Sequence, residues 1–116
     1  MSDYRTDRER WAQLSIYEQM GNIGSEVGRT IKAFRVNDQK RYERALVRAL
    51  DLFAATTEQL VAEKSHRTKE VLRARNEFLR LFFDDTFESE ADSIERYFMQ
   101  FAYVARKQHE DKLQSQ

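Results

Sequence analysis

A chain of 116 residues has the length of one domain and can bury a single core. It has no cysteine, which excludes disulfides, thiolate zinc sites and a cysteine nucleophile. Its 20 basic and 20 acidic side chains balance, so net charge draws it toward neither nucleic acid nor a membrane.

Hydrophobic residues make up 41% and charged residues 34%, with three glycines and no proline. Abundant residues of both kinds, with few turn formers, suit amphipathic helices rather than an all-β domain. Residues 1–12 are charged and lack the apolar stretch of a signal peptide. No run of about 18 apolar residues is present to cross a membrane. The expected location is cytoplasmic, with no membrane partner.

Taken in chain order, residues 1–12 read as a flexible or docking N-terminal segment. Ser15 and Glu18 then form a capping box. After it Ile16, Met20, Ile23, Val27, Ile31 and Phe34 recur at helical spacing, predicting a helix over 16–36. Asp38 caps a second helix over 38–63, with Tyr42, Leu46, Ala49, Phe53, Thr56 and Leu60 inward. A third is predicted over 68–83 through Val71, Leu72, Phe78, Leu79 and Phe82. Ser89 or Ser93 is the expected cap of a fourth, over 89–108, whose first turns hold Glu90, Asp92 and Glu95. Residues 109–116 read as a frayed tail. Four helices joined by short loops predict an all-α fold, an antiparallel up-down-up-down four-helix bundle over a single domain, 13–108.

Three features ask for explanation. Gly21, Gly24 and Gly28 all fall in the first predicted helix, where each costs about 1 kcal/mol against alanine. Close approach of another helix offsets that cost; the rival is a helix break with Ser25 as a new cap. The fourth predicted helix is apolar around much of its circumference. Ile94, Tyr97, Phe98, Phe101, Val104 and Ala105 make an inward face, Met99, Ala102 and Tyr103 extend it around the cylinder, and Met99, Tyr103 and Tyr97 are the expected self-association surface. The competing account is that Trp11 and the N-terminal segment fold back over Met99 and Tyr103. Thirdly, Arg41, Arg44 and Arg48, and separately Lys69, Arg73, Asn76 and Arg80, form basic stripes. These read as solvated faces partnered by Glu43, Glu70 and Glu77, and as phosphate contacts only in the alternative reading.

No reactive constellation is complete. Glu63 and His66 match one half of a di-iron carboxylate site, but the chain's other histidine, His109, has Arg106 where the glutamate of a second copy should stand. Neither histidine has an arginine at the upstream distance that HEPN-type ribonucleases use. Glu88, Asp92 and Glu95 share a helix face without a matching pair on another helix, so helix-end charge accounts for them. No cofactor, metal ligand or catalytic residue is therefore assigned.

The stretch Leu14-Ser15, Glu18-Gln19 and Asn22-Ile23-Gly24-Ser25-Glu26-Val27 with Arg29, followed by Arg48-Ala49-Leu50-Asp51-Leu52 and Tyr97-Phe98-Met99-Gln100-Phe101-Ala102, resembles a family of short, uncharacterised bacterial all-α proteins. Asn22-Ile23 with Gly28-Arg29 also has a fainter likeness to the four-helix-bundle proteins encoded in ribosomal RNA intervening sequences. The resemblance implies a single helical domain and brings no activity with it. The expected function is a non-enzymatic interaction or regulatory module that forms a homodimer, with a further protein partner possible. The alternatives are a nucleic-acid-associated protein using the basic stripes, and an enzyme acting through a polar cluster of Glu26, Arg29, Arg48, Asp51, Arg75 and Glu77.

Overall fold

The computed structural model describes residues 5–115; the expectations for residues 1–4 and 116 lie outside the described residues. Five helices follow one another: α1 Arg8–Ala12, α2 Ile16–Arg35, α3 Gln39–Ala62, α4 Thr68–Phe83 and α5 Phe87–Gln114. There is no strand among the described residues. The chain is all-helical, with one helix more than the periodicity predicts.

Local chemistry sets the ends. The Ser15 hydroxyl accepts from the Glu18 amide at 3.1 Å while the Glu18 carboxylate accepts from the Ser15 amide at 2.9 Å. Asp38 caps α3 by accepting from the Arg41 amide. At the other ends α2 and α3 stop without glycine. Asn37 and Lys64 take left-handed φ of 59° and 56°. The next amides, of Asp38 and Ser65, then donate back to the carbonyls of Ala33 and Leu60 at 2.9 Å. This double closure satisfies carbonyls the helix would leave bare.

α5 differs from expectation at both ends. It begins at Phe87, so Ser89 and Ser93 lie inside it rather than capping it, and Thr86 makes no side-chain cap. The reason is apolar: Phe87 is buried, with its ring 4.8 Å from Phe34 and 6.1 Å from Phe82. Burying that ring outweighs a cap bond of about 1 kcal/mol. The far end continues as helix through residues 109–114, where fraying was expected, although every residue of 106–115 is exposed.

α2 packs along α3 and α5, α4 packs along the same two helices, and α1 lies on α3. The shared interior holds Met20, Ile23, Val27 and Ile31 of α2 against Phe53, Phe78 and Phe98. The rings of Phe78 and Phe98 each stand 6.0 Å from Phe53. Each such side chain, fully buried, stabilises by about 1.5–3 kcal/mol.

α1 is fixed by polar chemistry. Asp7 caps it, and Trp11 enters the interior, where its indole N–H donates to the Thr56 hydroxyl at 2.9 Å. That hydroxyl donates to Gln19 Oε1 at 2.9 Å. The Gln19 amide in turn donates to the Trp11 carbonyl and to Gln59 Oε1. Outside this buried set, the Arg8 guanidinium binds Asp51 and Glu58, each at 3.0 Å.

Burial pushes the Asp51 carboxyl up, but the bonds from Arg8 and from the Thr6 amide outweigh it and hold it below the ordinary carboxylate range. A carboxyl depressed in the folded state stabilises above its unfolded pKa of about 3.9, and that contribution is lost as pH falls through the folded value. Acidification below about pH 4 should therefore loosen α1 from α3. Trp11 is the only tryptophan, so a red shift of fluorescence preceding loss of helicity is the expected readout. An emission maximum unchanged until global unfolding would contradict it.

Candidate functional site

The glycines of α2 meet α5. A Cβ built on Gly24 would stand 2.7 Å from the Phe98 Cβ, and one on Gly21 would stand 3.3 Å from the Ala102 Cα. α2 runs unbroken through all three glycines and none has positive φ. The rival reading, a break with Ser25 as a new cap, is thereby overturned: Ser25 lies mid-helix and its hydroxyl donates back to the Gly21 carbonyl.

Gly28 differs from its two neighbours. A Cβ there would meet nothing within 4 Å. It opens into a groove of about 210 Å³ shared with Ser25 of α2 and with Glu95, Met99 and Ala102 of α5. Beside this groove Met99 and Tyr103 are 67% and 68% exposed. Among the described residues Trp11 does not cover them, because it is committed to Thr56 and Gln19 on the α2–α3 side. That corrects the competing expectation for Trp11.

Tyr97 stands about 200° around α5 from Met99. Its ring packs 5.2 Å from both Phe98 and Phe101, and its hydroxyl donates to Glu70 at 2.9 Å. Burial, then the Glu70 carboxylate, pushes its phenol well above the ordinary value. The outward face of α5 is therefore carried by Met99 and Tyr103, while Tyr97 ties α5 to α4.

The six residues of the expected polar cluster separate into groups. Glu26 holds Arg29 at 2.8 Å and Arg48 at 3.2 Å. Asp51, a turn further along α3, binds Arg8 instead. Arg75 and Glu77 stand on α4, where Glu77 lines a cleft with Arg80 and Tyr97. Among the described residues neither of them forms an ion pair. Arg29 and Arg48 line a groove between α2 and α3, whereas Glu77 lines a different one between α4 and α5.

The basic stripes also find partners other than those expected. Arg41 pairs with Asp38, Arg48 with Glu26 and Arg80 with Asp84, whereas Glu43 accepts from Gln39, and Glu70 from Tyr97. Among the described residues no three histidine or acidic side chains gather as a metal-holding group. No helix there is long and apolar enough to cross a membrane.

Sequence reasoning missed Gln19, Arg8 and the role of Trp11. A signal was present for the first: Gln19 precedes Met20 on the inward stripe, and a polar residue there requires a partner.

Comparison with protein-family models, with curated proteins and with solved structures finds no match to this chain.

Proposed function

We propose that the chain is a non-enzymatic interaction module whose four long helices form an antiparallel up-down-up-down bundle and which pairs with a second copy through α5. The antiparallel reading rests on the short connections, 36–38, 63–67 and 84–86, which return each helix beside its predecessor. The pairing rests on one observation: Met99 and Tyr103 stand exposed beside a groove that Gly28 leaves empty.

Charge supplies the choice of occupant. At about 100° per residue, Glu95, Met99, Ala102, Tyr103 and Arg106 share one face of α5. A two-fold axis between Met99 and Tyr103 sets two α5 helices antiparallel. Glu95 of one copy then faces Arg106 of the other about one and a half turns from the axis, at both ends of the contact. The face is complementary to itself, with tyrosine and methionine, types enriched at interfaces, in its middle.

Gly28 tests the reading without disturbing the fold. Gly28→Ala should raise monomer stability by about 0.5–1 kcal/mol, because the position is helical and unobstructed. Gly28→Leu should fill the groove and weaken self-association measured by sedimentation, with monomer stability kept. Unchanged association in Gly28→Leu would remove the groove from the interface.

A further inference from the structure

Between the second half of α2 and the first half of α3 lies a separate groove of about 480 Å³. Its floor is Ala33 and Ala45, two buried residues whose small side chains leave the space. Arg29 and Lys32 of α2 face Arg41, Arg44 and Arg48 of α3 across it. The carboxylates among them are Glu26, held by Arg29 and Arg48, and Asp38, 3.4 Å from Arg41. Five cations against two carboxylates leave a surplus of three positive charges in a chain of zero net charge. Among the described residues Lys32 and Arg44 have no ion pair.

Helix-end electrostatics explain little of this. Lys32 sits in the last turn of α2, where bare carbonyls favour a cation. The first turn of α3 has no acidic residue, and its amide end disfavours the arginines that follow. Glu26 and Asp38 offset the repulsion in part, through Arg29, Arg48 and Arg41, but among the described residues no ion pair neutralises Lys32 and Arg44. A ligand carrying several negative charges would.

Along α3 the three arginines rise by about 4.5 and 6 Å, and Arg29 and Lys32 by about 4.5 Å, giving two short rails of charge. Guanidinium forks match phosphate oxygens in bidentate pairs. No aromatic ring among the described residues lines the groove to stack a base, and its volume is that of a small-ligand site. We infer that this groove binds a short chain of linked phosphates, recognised through its oxygens, whether inorganic or the tail of a nucleotide. Binding there is independent of pairing through α5, which uses different residues.

Calorimetric titration of the full chain with sodium tripolyphosphate tests the inference. One tripolyphosphate should bind per chain, far more tightly than sulfate. Lys32→Glu with Arg44→Glu should weaken it about a hundredfold, since each lost charge-assisted bond is worth about tenfold or more. Both side chains are exposed, so helicity by circular dichroism should hold. If that variant fails to fold, Lys32→Gln with Arg44→Gln replaces it, with about a tenfold loss expected. ATP titrated in parallel separates the sources. Binding as tight as tripolyphosphate supports a nucleotide tail, and weaker binding supports an inorganic chain. Sulfate matching tripolyphosphate would overturn the inference, as would variants that bind like the native chain. So would a single-stranded oligonucleotide that binds and that tripolyphosphate cannot displace.

Discussion

Gly24→Ala should destabilise the protein by about 1–3 kcal/mol, although alanine is the better helix former by about 1 kcal/mol. The new Cβ would stand 2.7 Å from the Phe98 Cβ. Both atoms are anchored to helical backbone, so no rotamer change relieves the contact and α2 must move off α5. Phe98 cannot follow outward without opening its packing on Phe53 and Tyr97. Gly24→Leu should cost more still, enough to threaten folding. Chemical denaturation of Gly24→Ala beside Gly28→Ala provides an internal control, because the same change should have opposite signs four residues apart. Two stabilising substitutions would mean that the helices separate at no cost.

Gln19→Leu should cost about 2–6 kcal/mol, the sum of two orphaned groups at about 1–3 kcal/mol each. Gln19 is 1% exposed and Thr56 is 0% exposed, so water cannot replace the lost partners. The substitution removes the acceptor of the Thr56 hydroxyl and the donor to the Trp11 and Leu14 carbonyls. α1 should detach first, with the Trp11 emission shifting to the red. Adding Thr56→Val and Trp11→Phe should recover part of the loss, because the hydroxyl and the indole N–H are removed and fewer buried polar groups are left unpaired. Native stability in Gln19→Leu would show that the network contributes nothing.

The helices were legible because their signals are local. The Ser15–Glu18 box, the Asp38 cap and the stripe from Met20 to Ile31 depend on near neighbours alone, and α2, α3 and α4 lie within a residue or so of their predicted spans. The start of α5 was not legible, since Phe87 is placed by Phe34, more than fifty residues away, rather than by any cap. α1 escaped for the same reason: five residues show no periodicity, and its anchors, Asp51, Thr56 and Glu58, belong to α3. Leu72 was placed on the apolar stripe of the third predicted helix yet stands exposed, because α4 turns Ala74 and Leu81 to the interior instead. At the candidate site the excess apolar character of α5 was visible in its composition. Which flank stays bare was not, since that depends on Tyr97 being claimed by Glu70 of α4. Glu26, Arg48 and Asp51 were singled out as members of one cluster of carboxylates and arginines. Only the fold shows that Glu26 joins Arg48 while Asp51 turns to Arg8.

Self-association through α5 is tested most directly by sedimentation equilibrium across micromolar concentrations, on the native chain and on Met99→Glu with Tyr103→Lys. Both side chains are exposed, so the substitutions leave the interior untouched. The native chain should show a concentration-dependent dimer, and the double variant a monomer of unchanged helicity. A native chain that remains monomeric throughout, or a variant that dimerises equally well, would contradict the account.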